Sequence, residues 1–226
     1  MNLLLELKRN NDLGGLTVRE IAAQTFVFFL AGFETSSSTM GFCLYELAVN
    51  MAIQERARAE INAVLEKHNS VFTYECMDEL KYLQQIIQET QRMYSVASFT
   101  LRKAINDYHV PNTKHVIEKG TVVVIPIDAI QNDPDIYADP EVFNPDNFTP
   151  AEVEKRSSMA WLAFGEGPRN CIGRRFGEMM MMVGLSLLLK HFRFSLAPHM
   201  PIPLKIDMKN FALSSEGGIF LRVEPV

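Results

Sequence analysis

The sequence predicts a mainly α-helical fold with small β-sheets, an α+β architecture in one domain over residues 1–226. Three observations support this prediction. Apolar residues recur at helical spacing through most of the first half of the chain and again near its end. Residues 107–126 alternate in the manner of strands. Four prolines between positions 132 and 150 exclude a long helix there.

Composition excludes several classes of protein. The chain has 226 residues, 22 Lys plus Arg against 27 Asp plus Glu, a net charge of −5 and 47% hydrophobic residues. This is the composition of a globular protein with a core, and it lacks the clustered basic face of a nucleic-acid binder. Its three cysteines are odd in number and widely spaced, which implies neither a disulfide framework nor a zinc site.

Two segments bear on membrane insertion and export. The longest apolar stretch covers residues 179–189 and is well short of the ~20 residues that a spanning helix needs. Residues 1–10 carry charges without a long apolar centre or a small-residue cleavage site. We therefore expect no membrane span and no signal peptide in this sequence.

The first helix is predicted to be unusually long. Thr17 and Glu20 form a capping-box pattern, and the apolar stripe then continues without proline to about Val49. Gly32 and the hydroxyl run at 35–39 stand at its centre, and both weaken a helix. A long helix with a weakened centre indicates a functional role at that point.

Shorter elements are predicted to follow. In chain order they are helices over 52–67 and 83–94, one or two hairpins within 107–126 that turn at Lys119-Gly120, an ordered, turn-rich meander over 132–150, a helix from 174 to 191, and short C-terminal strands with turns. No internal repeat or linker is evident.

A glycine-rich loop presents one cysteine at the start of a predicted helix. Cys171 follows Gly165 and Gly167 and precedes Gly173. At such a position the helix dipole and free backbone N–H groups stabilise a thiolate. The glycines allow flat backbone to approach a bulky group. A buried structural role is the more common alternative for an isolated cysteine.

The loop over 164–173, FGEGPRNCIG, resembles the haem-ligand loop of the cytochrome P450 superfamily, FxxGxRxCxG, at every fixed position. The resemblance implies that Cys171 is the proximal thiolate ligand of the iron of haem b. It also implies that Arg169 pairs with a haem propionate and that Phe164 packs beside the sulfur. The glycines of the loop, Gly165 and Gly173 among them, would lie against the cofactor.

A second motif lies upstream. Glu89 and Arg92 stand three residues apart on one helical face, and alone such a pair is usually exposed and contributes ~0.2 to 0.5 kcal/mol. The segment ETQRMY precedes Cys171 by about eighty residues, where the family keeps its Glu-x-x-Arg helix beneath the haem. The resemblance implies a buried structural pair that locks the meander supporting the cysteine loop.

The chain departs from the family pattern at three positions. Asn147 stands where a Pro-x-Arg-Phe segment usually has arginine, and it can form hydrogen bonds but supplies no charge. Ser95 stands where proline is frequent, and Gln131 replaces a frequent histidine. We expect these last two departures to be minor.

A third motif lies in the weakened centre of the long helix. Residues 31–35, AGFET, resemble the family's stretch on the helix that crosses the distal haem face. The resemblance implies that Gly32 opens room and frees a carbonyl for dioxygen and water. Glu34 and Thr35 would then relay protons as an acid–alcohol pair. Without the other motifs, a Glu-Thr pair would more often be a solvated helix face.

Other residues follow from the resemblance alone. Arg102 corresponds to a second propionate contact, with a surface role as the alternative. Five residues correspond to the substrate pocket, with ordinary core as the alternative; they are Phe29, Ala31, Val96, Phe99 and Ser214.

The resemblance covers the C-terminal half of the family's catalytic domain. In detail the sequence is most similar to microsomal members from insects. It implies a haem-thiolate monooxygenase that inserts one oxygen atom of O2 into a lipophilic substrate. Electrons would come from NADPH through NADPH–cytochrome P450 reductase, with cytochrome b5 as an optional donor. The implied location is the cytosolic face of the endoplasmic reticulum membrane, through an N-terminal anchor absent from this sequence. The alternatives are a truncated, catalytically incompetent fragment and a haem-thiolate isomerase or peroxygenase.

Overall fold

A long helix organises the fold. The computed structural model describes Glu6 and residues 17–207, 209–210 and 213–226. Helix α1 covers Val18–Val49 and begins with the predicted capping box, in which Thr17 Oγ1 accepts from Glu20 N at 3.2 Å and Thr17 N donates to Glu20 Oε2 at 2.8 Å. Both predicted ends of α1 are therefore confirmed. Residues 1–10, on which the signal-peptide expectation rests, lie outside the described part of the chain except for Glu6.

Three of the helices that follow α1 match predicted ones, and the others are short. They are α2 (Met51–Lys67), α3 (Tyr74–Glu79), α4 (Lys81–Met93), α5 (Ile127–Gln131), α6 (Pro150–Val153) and α7 (Arg174–His191), with single 3-10 turns at Pro145–Phe148, Ser158–Ala160 and Gly167–Arg169. The predicted helices at 52–67, 83–94 and 174–191 correspond to α2, α4 and α7. None of the helices in the described residues is both long enough and apolar enough to cross a membrane.

Four small antiparallel sheets of two strands each complete the described fold. The strands are β1 (Thr100–Lys103), β2 (Tyr108–His109), β3 (Val116–Ile117), β4 (Val122–Ile125), β5 (Phe192–Leu196), β6 (Ile206–Asp207), β7 (Ser214–Ser215) and β8 (Leu221–Pro225). Their pairs are β1 with β4, β2 with β3, β5 with β8, and β6 with β7. The predicted α+β architecture is confirmed.

Of the hairpins predicted within residues 107–126, the pairing of β2 with β3 confirms one, whereas a hairpin around Lys119-Gly120 is wrong. The turn at Lys119-Gly120 exists, and Gly120 has a φ of 92°, but β3 and β4 on its two sides do not pair with each other. Strand β4 pairs instead with β1, which the sequence pattern did not indicate, and Leu101 lies opposite Val124. Backbone bonds from Ala104 N to Thr121 O (2.9 Å) and from Gly120 N to Ala104 O (2.8 Å) extend that pairing up to the turn.

The core lies where the C-terminal half of α1 meets α2, α4 and α7. Its fully buried members include Cys43, Leu47, Ile61, Leu83, Ile86, Leu185 and Leu189. Helices α1 and α7 approach closely at Gly184, where an added Cβ would lie 2.8 Å from Met40 Sδ. A larger residue at this position would require the flexible Met40 side chain to move, so glycine suits the close approach of the two helices.

The N-terminal half of α1 is mostly exposed, unlike the C-terminal half that joins the core. Phe26, Phe29 and Phe33 are 63%, 68% and 61% exposed. The rings of Phe29 and Phe33 stack at 6.2 Å between centroids. This aromatic face of α1 is an apolar surface of the kind that normally packs against another segment or partner.

Candidate functional site

The cysteine loop is held by its own backbone. Gly165 and Gly167 have φ values of 67° and 79°, which side-chain-bearing residues rarely adopt. Gly165 N donates to Leu162 O and Cys171 N donates to Phe164 O, both at 2.8 Å. The loop therefore closes on itself and fixes the backbone of the cysteine.

The thiol lies at the position that the sequence predicts. Cys171 is exposed and comes two residues before Gly173, the N-cap of α7. A Cβ added to Gly173 would lie 3.9 Å from Cys171 Sγ, so the sulfur lies beside the start of the helix. Ile172 between them is fully exposed. This geometry presents a sulfur donor to the outside of the loop at the positive end of an 18-residue helix.

The other two cysteines are buried and lie elsewhere in the fold. Burial raises the pKa of the Cys43 thiol to about 12. Cys76 Sγ accepts a hydrogen bond from Thr73 N at 3.4 Å in the first turn of α3. Each has a packing or capping role, which leaves Cys171 as the one exposed cysteine, and all three lie in the described residues.

This difference in exposure predicts selective labelling. With a bulky, membrane-impermeant maleimide at neutral pH, the folded haem-free chain should take up one label, and peptide mapping should place it at Cys171. Cys43 and Cys76 should react only after denaturation, because both are buried. Labelling of either buried cysteine at a rate similar to that of Cys171 would contradict the structure.

Aromatic residues support the start of the loop. The ring of Phe164 meets that of Trp161 edge to face at 6.0 Å between centroids. An added Cβ on Gly177 of α7 would lie 3.8 Å from the Phe164 ring, and the Arg174 guanidinium lies over that ring at 5.5 Å. The Phe164 side chain thus packs between Trp161 and the first turn of α7.

The Glu-x-x-Arg pair is fully buried. Arg92 Nε donates to Glu89 Oε2 at 2.8 Å and Arg92 Nη2 donates to Glu89 Oε1 at 2.9 Å, with both side chains 0% exposed. The remaining donors of Arg92 reach Gln131 O (3.1 Å), Asn132 Oδ1 (3.3 Å) and Pro140 O (2.8 Å). One guanidinium therefore joins α4 to the end of α5 and to the meander.

Asn147 joins this network through a hydrogen bond. Its Nδ2 donates to Glu89 Oε1 at 3.1 Å, and Asn144 N donates to the same oxygen at 2.9 Å. A positive charge comes from Arg156, which sequence reasoning missed. The Arg156 guanidinium donates to Asn147 O and lies 4.5 Å from the centre of the Tyr137 ring. Arg156 thus places a positive charge beside Asn147 from a different segment, and in the described residues the ion pair of Glu89 is with Arg92.

Ser95 and Gln131 are more than minor departures. Ser95 is 3% exposed and Gln131 0% exposed, and Gln131 Nε2 donates to Ser95 Oγ at 2.7 Å. Two of the three residues at which the chain departs from the family pattern therefore contact each other. Sequence reasoning treated each by itself and so could not find the contact.

A buried carboxyl group lies next to the Glu89–Arg92 pair. Glu46 of α1 accepts a hydrogen bond from Tyr94 Oη at 2.5 Å. Burial raises the pKa of Glu46, the Tyr94 hydrogen bond opposes that shift, and the Glu89 carboxylate adds to it. The network thus extends from α4 to the C-terminal end of α1.

The third motif packs against the first turn of α7, the helix that follows the cysteine loop. A Cβ added to Gly32 would lie 3.7 Å from the Phe176 ring, and the rings of Phe28 and Phe176 are 5.3 Å apart between centroids. Residues of the α1 motif therefore meet a residue that follows Cys171 closely in sequence. At this contact the α1 motif meets the helix that begins just after the cysteine loop.

The proposed relay residues lie on the exposed side of α1. Glu34 and Thr35 are both exposed, and Thr35 Oγ1 donates to Ala31 O at 2.7 Å. Helix α1 continues through Gly32 without interruption. Thr35 thus forms its hydrogen bond within the motif, to the carbonyl group one helical turn upstream.

The residues expected to contact propionates and substrate lie as follows. Arg169 is exposed and forms no ion pair with any residue that the structure describes. Arg102 is half-buried and donates to Thr100 Oγ1 and Leu101 O, both at 2.9 Å. Of the pocket residues, Phe29, Ala31 and Phe99 are exposed and Val96 and Ser214 are half-buried. A bond from Leu213 N to Val96 O at 3.2 Å brings the segments of these last two together.

Comparisons with a family model and with curated proteins agree on one family. The family model described as Cytochrome P450 matches residues 1–222. Cytochrome P450 6a8 of Drosophila melanogaster is 50% identical over 235 residues, which cover 100% of this chain and 46% of that protein. Cytochrome P450 6A1 of Musca domestica is 46% identical over 235 residues, with the same coverage of both chains. The chain thus spans about half the length of the curated relatives that it matches.

Proposed function

The chain belongs to the cytochrome P450 family, and from that membership we propose that it holds haem b through Cys171 as part of a haem-thiolate monooxygenase. The observation that carries the proposal is the exposed Cys171 thiol on a glycine-shaped loop at the start of α7. Members of this family bind haem b with a cysteine thiolate as the axial ligand.

The residues of the loop fit this cofactor. A single exposed thiol is the donor that a thiolate-ligated haem requires, and no group of three His, Cys, Asp or Glu in the described residues forms a rival metal site. Gly165 and Gly167 have positive φ values and carry no side chain that could obstruct a macrocycle approaching the loop. Arg169, exposed and free of ion pairs with the described residues, is available to a carboxylate of the cofactor.

Each residue has a distinct task in the proposal. Cys171 donates electron density through its sulfur, and Arg169 and Arg102 hold propionates by charge-assisted hydrogen bonds. The Glu89–Arg92 pair keeps the meander in place beneath the loop. When bound, the haem supplies the activation of dioxygen, so that one oxygen atom enters the substrate and the other leaves as water.

Proton delivery is assigned to Glu34 and Thr35. A side chain that gives a proton to a reacting group accelerates a reaction typically by 10²- to 10⁴-fold. The Thr35 hydroxyl now donates to Ala31 O, so it must rotate to donate elsewhere. Glu34, exposed to solvent one residue earlier, can restore the proton of the hydroxyl.

The partners are proposed from family membership. The reaction consumes NADPH, O2 and one proton for each oxygen atom inserted, so a flavoprotein that splits hydride equivalents into single electrons is required. We assign this role to NADPH–cytochrome P450 reductase, with cytochrome b5 as an optional donor. The substrate is a small lipophilic molecule, to which Phe29, Ala31, Val96, Phe99 and Ser214 contribute the wall of the pocket. The location is the cytosolic face of the endoplasmic reticulum membrane.

The test is a turnover assay with the relay variant Thr35→Ala. With reductase, NADPH and an alkyl aryl ether probe, the haem-loaded protein should release the fluorescent phenol. Thr35→Ala should lower the product formed per NADPH consumed by about tenfold or more, because its proton donor is lost. Thr35→Ser keeps the hydroxyl and should retain most of the yield.

Other outcomes distinguish the alternatives. Product formation with hydrogen peroxide but not with NADPH and reductase would indicate a peroxygenase. An isomerase would release no phenol under either condition and would consume no NADPH. Equal yields from Thr35→Ala and the unmodified protein would contradict the relay.

A catalytically incompetent chain is the second candidate. The aromatic face of α1, with Phe26, Phe29 and Phe33 more than 60% exposed, favours it. Apolar surface of this kind is normally covered in a working catalytic unit. Haem titration of the 226-residue chain separates the two candidates.

A further inference from the structure

We propose that Gln131 is a positioning residue that holds the cysteine loop to helix α4. The inference rests on the proposed function, since it is the haem-binding role of the loop that gives its position importance. It follows from the hydrogen bonds of one fully buried side chain at the end of α5.

Gln131 uses both ends of its amide group. Its Oε1 accepts from Leu162 N at 2.7 Å, just upstream of the cysteine loop. Its Nε2 donates to Gln91 O at 2.9 Å and to Ser95 Oγ at 2.7 Å. One side chain therefore joins α4 and the residues that follow it to the entrance of the loop.

The link continues by backbone hydrogen bonds to the cysteine. Leu162 O accepts from Gly165 N at 2.8 Å, and Phe164 O accepts from Cys171 N at 2.8 Å. The order of contacts is thus Gln131, Leu162, the turn at Gly165, Phe164 and Cys171. Because only these two hydrogen bonds separate Leu162 from Cys171, a shift of the Leu162 backbone would also shift the backbone that carries the sulfur.

The main chain of Gln131 is tied to the same helix. Its carbonyl oxygen accepts from Arg92 Nη1 at 3.1 Å, so Arg92 fixes the backbone while the amide group reaches the loop. A second and longer bond, from Trp161 Nε1 to Gln88 O at 3.3 Å, also joins α4 to the entrance of the loop. Loss of the Gln131 amide should therefore loosen the loop without detaching it.

The chain offers a matched control in Gln54. This glutamine is also 0% exposed, and its Nε2 donates to Leu47 O and Phe194 O while its Oε1 accepts from Phe194 N, all at 2.9 Å. It bridges α1, α2 and β5 in the same manner, away from the cysteine loop. Gln54→Met and Gln131→Met therefore each remove a buried bridge, at two different places, and Gln54→Met also removes the acceptor of Arg58 Nη2 at 3.1 Å.

The first measurement is amide hydrogen exchange of the haem-free chain, read by mass spectrometry over residues 162–171. Gln131→Met should accelerate exchange in this segment by about five- to tenfold, the factor expected when one net hydrogen bond is lost. Gln54→Met should leave the segment unchanged and accelerate exchange near 192–196 instead. Ser95→Ala, a milder change, should give a smaller acceleration over 162–171.

The second measurement is the reduced carbon-monoxide spectrum of the haem-loaded protein. Gln131→Met should lower the fraction of haem in the thiolate-ligated form, whereas Gln54→Met should not. Unchanged exchange over 162–171 in both Gln131→Met and Ser95→Ala would overturn the proposal, as would equal acceleration by Gln54→Met. Since exchange is measured without haem, failure of the chain to bind haem would count against the proposed function and leave the exchange result standing.

Discussion

Replacing Arg92 with methionine should cost the chain about 3 to 5 kcal/mol of folding stability, because Glu89 would stay buried without its partner. Arg92 also holds Gln131 O, Asn132 Oδ1 and Pro140 O, and those acceptors would lose their donor. Arg92→Lys should be almost as damaging, since one ammonium group cannot replace a planar guanidinium with five donors. Urea unfolding followed by circular dichroism measures the loss.

The chain contains a matched control for this prediction. Glu152 and Lys155 have the same i,i+3 spacing and a 2.6 Å contact, but their side chains are 44% and 65% exposed. Lys155→Met should therefore change the free energy of unfolding by less than about 1 kcal/mol. If Arg92→Met cost no more than Lys155→Met, the Glu89–Arg92 pair would not have the structural role assigned to it.

Replacing Cys171 with alanine should abolish the thiolate-type reduced carbon-monoxide spectrum of the haem-loaded protein, because no sulfur donor remains at the loop. The free energy of unfolding of the haem-free chain should change little, since Cys171 is exposed. The variant Cys43→Ala should behave in the opposite way. Cys43 is 0% exposed, so its loss should lower stability by about 1 kcal/mol and leave the spectrum intact.

These two variants distinguish loss of the haem ligand from loss of packing in the core. An unchanged spectrum in Cys171→Ala would contradict the assignment of the ligand. Loss of the thiolate-type spectrum in Cys43→Ala would show that the spectrum reports general damage to the fold.

The features that the sequence predicted are those encoded within short stretches. The capping box at Thr17 and Glu20, the end of α1 near Val49 and the placement of Cys171 before α7 each depend on neighbouring residues. Local propensity and a contiguous motif determine them, so they can be derived without knowledge of the rest of the fold.

The features that it missed depend on which distant segments meet. The pairing of β1 with β4 joins residues as far apart in sequence as Thr100 and Ile125, and β1 is a four-residue strand with a weak pattern of its own. The positive charge near Asn147 comes from Arg156, whose role depends on the path of the meander. Likewise, Ser95 and Gln131 form their contact only because α4 and α5 meet.

The glycine at the centre of α1 shows a third kind of difference. The sequence predicts that Gly32 weakens the helix, yet α1 runs unbroken through it. Its open side instead faces the Phe176 ring, so packing against α7 accounts for a small residue at that position. Helix propensity is a weak prior that tertiary contacts routinely override.

The most direct test of the central claim is titration of haem into the purified 226-residue chain, followed by the reduced carbon-monoxide spectrum. We predict uptake of one haem per chain, saturation at that ratio, and a thiolate-type spectrum. No saturable uptake, or a spectrum without thiolate character at full occupancy, would contradict the claim that this chain holds haem through Cys171.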